Sequence, residues 1–229
     1  MTFLDYLDDS TDTEIKNKLN NEYSSTSMVT KIKANIYKYR DFVIYHVVIP
    51  SAKGGKVTYD VVLCVKTLNI KPSAVDLDDL PLTVFSNCPS FIFEHGYDYY
   101  TSGDMIEWLM DKLDPRVRSN PPQKASKSNI ERSLFIAIKY IHECHYDAKL
   151  IFSSSAIQIT SYRPIIKAVR SQKEVMQHIK DRAVVKRIDR IVDEPVAKPK
   201  KSKNHKEIST TKTTKSTKTT KSVKTIKKI

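Results

Sequence analysis

Glycine, cysteine and long apolar runs are scarce in this sequence. Among its 229 residues are 4 glycines, 3 cysteines and 1 tryptophan. So few glycines exclude a collagen-like or Gly-rich repeat and leave little room for a glycine-rich nucleotide loop. The cysteines, Cys64, Cys88 and Cys144, are odd in number and far apart, which argues for reduced thiols and against a disulfide framework. No run approaches the roughly 18 apolar residues that a membrane helix needs.

Targeting and catalytic motifs are also missing. Asp5, Asp8 and Asp9 stand where a secretory signal would carry positive charge, so we expect a soluble protein that is made in the cytoplasm and does not associate with a membrane. The sequence has no Gly-x-Ser-x-Gly motif, Walker loop or dinucleotide fingerprint. Cys64 and Cys88 have no local base that would lower their pKa, which favours core or loop thiols. We expect a protein that is not an enzyme and uses no cofactor.

One group of histidines and cysteines could hold a metal ion. His142 and His145 are three residues apart on a predicted helix, with Cys144 between them and Cys88 and His95 as more distant candidates. The paired spacings of zinc sites, Cys-x-x-Cys and His-Glu-x-x-His, are absent, and the helix dipole alone favours histidines near a helix C-terminus. We therefore predict no metal site there.

An acidic cluster, Asp76, Asp78 and Asp79, lies in a loop between prolines. Carboxylates in a loop can hold a divalent cation, but this cluster lacks the glycine and the distal glutamate of an EF-hand. The pattern favours a solvated turn.

Positive charge is concentrated at the C-terminus. The formal net charge of +13 divides into −2 for residues 1–162, +4 for residues 163–196 and +11 for residues 197–229. The charge is thus appended to a near-neutral unit of ordinary globular composition. We divide the chain into an N-terminal helical or irregular segment (1–28), an α+β core domain (29–162), a basic C-terminal helix (163–196) and a Lys/Thr-rich flexible tail (197–229).

The tail, residues 197–229, carries lysine at every third position over much of its length. It contains 12 lysines and a single acid, Glu207. A period of three fits neither a helix nor a strand, and the tail has almost nothing to bury, so we predict that it is disordered when free. Evenly spaced cations on a pliable chain suit a polyanion, either nucleic acid or an acidic protein surface; a solubilising tail without a specific partner is the alternative. The lysines assigned to this contact are Lys198, Lys200, Lys201, Lys203, Lys212, Lys215, Lys218, Lys221, Lys224 and Lys227.

The body is predicted to be α+β, with antiparallel strands first and helices mostly after them. Apolar residues alternate along 29–39, run continuously through 42–49 and alternate again along 57–65. This pattern predicts an antiparallel β-meander of three strands, of which the middle one is buried on both faces. Further short strands are expected at 82–86, 91–93, 149–152 and 156–159.

Capping residues and apolar periodicity predict the helices. Thr2 opens a short N-terminal helix, and a second short helix is expected around residues 14–19. Capping boxes predict three further helix starts, at Thr101 with Asp104, at Ser128 with Glu131 and at Ser171 with Glu174. The core-facing residues of the middle one are Leu134, Phe135, Ile138 and Ile141. The last helix is long and basic on one side, and it ends near Val192.

The outward face of the first predicted strand alternates cations with aromatic rings. Lys31, Lys33, Tyr37 and Tyr39 share one side of the pleat. Sheets that bind single-stranded nucleic acid present such a face. The alternative is a solvated face whose tyrosines pack under a neighbouring element.

Residues 91–100 are dense in aromatic side chains. We assign Phe91 and Phe93 to the core. Tyr97, Tyr99 and Tyr100 are instead assigned to a subunit contact, because aromatic residues anchor interfaces at a low entropic cost.

Four motifs follow one another in the body: Val-Phe-Ser-Asn-Cys-Pro-Ser-Phe-Ile-Phe at 84–93, Ile-Glu-Trp-Leu at 106–109, a loop with Pro121 and Pro122, and the helix from 130 to 141. Their order resembles a pattern in structural proteins of tailed bacteriophages. The resemblance spans about residues 40–145 and includes no catalytic motif; Phe93-Glu-His-Gly96 is more polar than the pattern. It implies a virion component of the capsid, neck or tail that assembles with other virion proteins.

Two functions follow from these patterns. The first is a non-enzymatic structural component of a phage particle, made in the host cytoplasm, whose body docks into a multimer while the tail contacts an acidic surface or DNA. The alternative is a nucleic-acid-binding accessory protein that uses the strand face and the tail. A third hypothesis, an unrecognised metal-dependent nuclease, is disfavoured by the missing motifs.

Overall fold

A five-stranded sheet forms the centre of the fold. The computed structural model describes residues 2–8, 13–52, 57–67, 80–119, 131–145 and 156–193. The strands are β1 (Lys33–Tyr39), β2 (Phe42–Pro50), β3 (Thr58–Lys66), β4 (Leu82–Ser86) and β5 (Ile157–Gln158). Their order in the sheet is β4-β3-β2-β1-β5. Strands β1 to β4 pair antiparallel, whereas β5 runs parallel to β1. The predicted meander is present, but the sheet as a whole is mixed, so the all-antiparallel description is only partly right.

Helices precede and follow the meander, which confirms the α+β class. The first three are α1 (Phe3–Asp8), α2 (Thr13–Tyr23) and α3 (Thr26–Val29). After β4 come a π-helical turn (Phe91–His95), α4 (Gly96–Ser102), two 3₁₀ turns (Glu107–Lys112 and Pro115–Arg118), α5 (Arg132–His145), α6 (Arg163–Ala168) and α7 (Gln172–Asp193).

Both faces of the sheet are covered. Helix α5 packs on β2, β3 and β4, and α1 and α2 pack on α5. On the opposite face, Asp60, Val62 and Cys64 of β3 are buried as well. Asp60 is a charged residue on this side of β3, and it is buried because Arg170 and the segment around it cover that side.

One hydrophobic core runs through the described residues. It includes Tyr6 and Leu19 from the N-terminal helices and Ile165 and Val169 from the α6 region, together with the sheet and α5. The predicted core positions of α5 are all buried; they are Leu134, Phe135, Ile138 and Ile141. The proposed domain boundaries stay predictions.

Two of the predicted helix starts are confirmed at the level of their hydrogen bonds. At α1, the Thr2 hydroxyl accepts from the Asp5 N–H at 3.2 Å and the Asp5 carboxylate accepts from the Thr2 N–H at 2.7 Å. At α7, Ser171 and Glu174 exchange the equivalent bonds at 3.3 and 2.6 Å. These reciprocal bonds satisfy backbone donors that a helix leaves without an internal partner. The short helix expected around 14–19 is also present, as the longer α2.

The prediction that a helix begins at Thr101 is wrong. Gly103 has a positive φ of 79° and ends α4, which lies before it. The Thr101 hydroxyl donates to carbonyls one turn back, so it belongs to a helix end. The apolar residues after it are buried, but Met105 bridges to β4 and the next turn is 3₁₀. The strand expected at 91–93 is wrong too, because these residues form the π-helical turn.

Several predictions fall outside the described residues. They are the strand at 149–152, the acidic cluster of Asp76, Asp78 and Asp79, the cap at Ser128, the loop with Pro121 and Pro122, and the tail. The strand expected at 156–159 is present as the shorter β5.

Candidate functional site

An exposed row of aromatic rings lies on the helical segment that follows β4. The π-helical turn runs directly into α4, and the segment has two different sides. Phe91, His95 and Tyr99, four residues apart, are buried. On the other side Phe93 is 47% exposed and Tyr100 is 43% exposed, with Tyr97 half-buried between them. We call Phe93, Tyr97 and Tyr100, with the neighbouring Glu94 and Asp98, the aromatic helix face.

Gly96 fixes the geometry of this segment. Its N–H donates to the carbonyl of Phe91, five residues back, which is the hydrogen bond of a π turn. A Cβ at position 96 would lie 3.0 Å from the Phe91 carbonyl oxygen and 3.2 Å from a methyl group of Val117. A side chain there would require its neighbours to shift by a few tenths of an ångström, so glycine suits the close approach in this turn.

Stacked rings anchor the segment from below. Tyr99 stacks on Phe91 with ring centroids 5.4 Å apart and on Tyr6 at 5.9 Å. Burial raises the pKa of Tyr6 well above its ordinary value, which is consistent with a ring held in the core. Two assignments are corrected here: Tyr99, expected at a subunit contact, is 5% exposed in the core, and Phe93, expected in the core, is exposed. Tyr97 and Tyr100 keep the accessibility that a subunit contact requires.

A cation already lies on the aromatic helix face. The Arg116 guanidinium lies 5.3 Å from the centre of the Phe93 ring. Asp114 holds Arg116 there through hydrogen bonds of 2.9 and 2.6 Å. The same side-chain hydrogen bonds lower the pKa of Asp114 to about 2. The face is therefore a surface on which a ring and carboxylates together hold a positive charge.

The strand face predicted for nucleic acid is largely covered. Lys31 and Lys33 are exposed. Tyr37, however, is only 8% exposed, because β5 pairs alongside it. Tyr39 packs edge-on against Tyr162 at 4.6 Å. Tyr37 and Tyr39 do not form an outward stacking face; the alternative, in which the tyrosines pack under a neighbouring element, describes them, because a C-terminal segment returns to the sheet edge.

A cleft of about 570 Å³ lies between β3, α5 and α7. Tyr59, Met176 and Ile179 line its apolar walls. Its polar lining includes Cys88, Ser90 and Glu131. A cleft with apolar walls and a few polar groups is a candidate for catalysis as well as for ligand binding.

Hydrogen bonds occupy the polar groups of the cleft. The Cys88 Sγ lies 3.1 Å from the Ser90 Oγ, which donates to Glu131 at 2.9 Å. The other Glu131 oxygen accepts from the Leu134 N–H at 2.9 Å and from the Ser133 hydroxyl. Glu131 thus caps the start of α5. Burial, reinforced by the charge of Glu131, raises the pKa of Cys88 to about 12, so the thiol is protonated and is a poor nucleophile.

This burial predicts slow thiol alkylation. We expect Cys64 and Cys88, both with pKa values raised to about 12, to react with iodoacetamide at pH 8 at least about 100-fold more slowly in the folded chain than in urea. Mass spectrometry that measures the extent of alkylation at each cysteine distinguishes Cys64 and Cys88 from Cys144. Equal rates for Cys88 in the folded and unfolded chain would contradict the buried position.

A buried polar network ties the start of α7 to the sheet. Asp60 is 2% exposed, and its Oδ1 lies 3.0 Å from His46 Nε2. Its Oδ2 accepts from Asn87 and from the Arg170 Nε, both at 2.8 Å. Arg170 also donates to the Thr58 carbonyl at 3.0 Å. Sequence reasoning missed this network, because Arg170 follows Asp60 by 110 residues in the chain and the two form no local motif.

The network has the chemistry of a structural clamp. Both oxygens of Asp60 are hydrogen-bonded. Among the described residues, the second ring nitrogen of His46 is buried without a hydrogen-bond partner. The Asp–His pair therefore lacks, in this part of the chain, the hydroxyl or thiol that a nucleophilic triad requires.

The metal candidates do not assemble within the described part of the chain. No group of three or more His, Cys, Asp or Glu side chains there is arranged to hold a metal ion. His95 is buried, and burial lowers its pKa. The side chains of Cys144 and His145 lie outside the description. Within the same described residues, no helix has the length and apolar character to cross a bilayer.

Comparison of the chain with models of protein families, with curated proteins and with solved structures finds no match.

Proposed function

We propose that the chain is a non-enzymatic structural component of a phage particle, in the capsid, neck or tail, that docks on other virion proteins and uses its lysine-rich tail on an acidic surface or DNA. The observation that carries the proposal is the aromatic helix face. It presents two large exposed rings, Phe93 and Tyr100, on a segment that is anchored by stacked rings underneath.

Such a face suits protein recognition. Aromatic and arginine side chains dominate the binding energy of interfaces, because they bury much area and lose little rotamer freedom. Here Phe93 and Arg116 lie together, and Asp114 fixes the arginine. A rigid surface loses little further entropy when a partner binds it.

The charge distribution supports the second half of the proposal. Residues 1–162 have a net charge of −2, whereas residues 197–229 have a net charge of +11. A cationic tail contacts acidic partners with little need for a defined shape, while the body supplies the specific contacts.

The nucleic-acid-binding alternative has less support. It depended on stacking by Tyr37 and Tyr39, and these rings are buried or packed against Tyr162. What it retains is the tail and the exposed pair Lys31 and Lys33. Cations without accessible rings give salt-dependent contact with phosphates and little else.

Quantitative mass spectrometry of purified particles tests the proposal. Particles from the phage that encodes the chain are banded twice in a density gradient and treated with nuclease and salt. We expect the chain to co-purify at a constant ratio to the other virion proteins. A level equal to that of host contaminants, falling with each purification step, would sink the structural role.

A further inference from the structure

The geometry points to one specific partner for the tail: we infer that residues 197–229 of one copy bind the aromatic helix face of a second copy. This inference rests on the proposed assembly function and names a partner within it. It is carried by the chemistry of the face, by the spacing of charges and by the position at which α7 ends.

The face has the groups that recognise a lysine ammonium. Exposed rings attract cations over their faces, and carboxylates beside them supply hydrogen-bond acceptors. Phe93 and Tyr100 provide the rings, and Glu94 and Asp98 provide exposed carboxylates. Arg116 on Phe93 shows the same pairing inside one molecule.

The segment that contains the aromatic helix face is negatively charged, whereas the tail is positively charged. Residues 90–119 contain six acids and three bases. The tail has 12 lysines and one acid. The acids of residues 90–119 are Glu94, Asp98, Asp104, Glu107, Asp111 and Asp114. The two segments are therefore complementary, although the body as a whole is nearly neutral.

The spacing of the lysines matches the spacing of the rings. In a polyproline II conformation, which has three residues per turn and rises about 3.1 Å per residue, lysines three residues apart lie on the same side of the chain, about 9 Å apart. Along a helix, seven residues advance by about 10 Å, which is the interval from Phe93 to Tyr100. Successive tail lysines, such as Lys215 and Lys218, can thus reach both rings from one side of a chain in this conformation.

Helix α7 ends away from the face of its own molecule. The side chain of Gln172, the first residue of α7, accepts from the Asp114 N–H at 3.1 Å, and Asp114 holds the arginine of the face. Twenty-two residues of helix then advance by about 33 Å, roughly the diameter of a small domain. The described chain therefore ends about 33 Å from the contact with Asp114, and the residues that follow would have to turn back along α7 to reach the face of the same molecule.

A contact between a tail and another molecule's face is heterologous. Each copy still offers one unused tail and one unused face after it binds, so such contacts propagate into rings or chains. We therefore expect wild-type protein to form oligomers that grow with concentration at low ionic strength. They should dissociate near 0.5 M salt, where screening shortens the range of charge interactions to about 4 Å.

Sedimentation velocity on the full-length chain and on three variants tests this inference. The tail variant has glutamine at positions 212, 215, 218, 221, 224 and 227. The face variant combines Glu94→Gln, Asp98→Asn and Tyr100→Ala. The matched control changes two exposed acids elsewhere, Asp41→Asn and Glu143→Gln. Thermal melts followed by circular dichroism check that each variant is as stable as wild type. Tyr100→Ala alone serves as a milder face variant.

The inference predicts a distinctive result on mixing. The tail variant and the face variant should each stay monomeric where wild type and control assemble, with apparent affinity at least about tenfold weaker. An equal mixture of the two should form a heterodimer and stop there, because only one tail and one face remain functional.

Three results would overturn the inference: monomeric wild-type protein at all concentrations, a face variant that assembles like wild type, or a mixture that stays monomeric. The last would place the contact within one molecule. None of them bears on whether the chain is present in particles, so this inference can fail while the structural role stands.

Discussion

Replacing Asp60 by alanine is expected to lower the free energy of unfolding by about 3–5 kcal/mol, the cost of breaking a buried charge network. Buried His46 loses the carboxylate beside it, buried Asn87 loses one of its two acceptors, and Arg170 loses the carboxylate that holds it against β3. Urea unfolding at neutral pH measures the change. The control is Asp41→Asn, an exposed position, which should shift the free energy by less than about 0.5 kcal/mol. Equal effects of the two substitutions would contradict the network.

The pH dependence of this effect has a defined sign. Burial alone would raise the pKa of Asp60, but hydrogen bonds from His46 and Arg170 outweigh it and leave the pKa below its ordinary value. The folded state therefore binds the proton less readily than the unfolded state. The stabilisation is complete above the unfolded pKa of about 3.9 and is lost as the pH falls through the lower folded value.

Comparison with Asp60→Asn isolates that contribution. The difference in unfolding free energy between wild type and this variant should be constant from about pH 7 to pH 5 and should shrink as the pH falls below about 4. A difference that grows on acidification would reverse the assigned sign.

Removing six of the 12 positive charges of the tail is expected to weaken polyanion binding on the order of 10³-fold at about 0.1 M salt. Six lysines, at 212, 215, 218, 221, 224 and 227, become glutamine, and each removes one released counterion. Fluorescence anisotropy with a short DNA duplex measures the affinity over a range of salt concentrations. The slope of log affinity against log salt should fall by about five.

The matched control for this experiment lies on the sheet. Lys31→Gln with Lys33→Gln removes two exposed cations from the face first assigned to nucleic acid. Because Tyr37 and Tyr39 are covered, this variant should lower the salt slope by no more than about two. If it abolished binding while the tail variant bound normally, the strand face would carry the function after all.

Sequence reasoning succeeded where a local pattern has only one structural solution. The continuous apolar run at 42–49 became β2, buried on both sides. The reciprocal Ser171–Glu174 cap opened α7 as expected. In both cases the signal is contained within a few neighbouring residues.

It failed where distant residues decide. Thr101 with Asp104 has the spacing of a capping box, but Gly103 between them adopts the left-handed conformation that ends a helix. Tyr37 has the spacing of an outward residue, but β5, more than 100 residues later, covers it. The burial of Asp60 has no local signal in the sequence, because Arg170, which covers it, follows 110 residues later in the chain.

The candidate site shows the same division. The density of rings at 91–100 is visible in the sequence and predicts an interface. Which rings point outward depends on the π turn, which places an extra residue in the helical repeat between Phe91 and Gly96. The sequence therefore predicted Phe93 in the core and Tyr99 at the interface. In the structure Tyr99 is buried, and Phe93 is exposed together with Tyr100.

Zero-length cross-linking of an isotope-mixed sample tests the central claim, that the tail acts on other molecules. Equal amounts of ¹⁴N- and ¹⁵N-labelled full-length chain are mixed at low salt and treated with a carbodiimide, which joins lysine amines to carboxylates. We predict links from the tail lysines to Glu94 or Asp98, with mixed-isotope pairs as frequent as same-isotope pairs. Tail lysines linked only to carboxylates of the same isotope would show that the tail folds back on its own molecule, and the claim would be wrong.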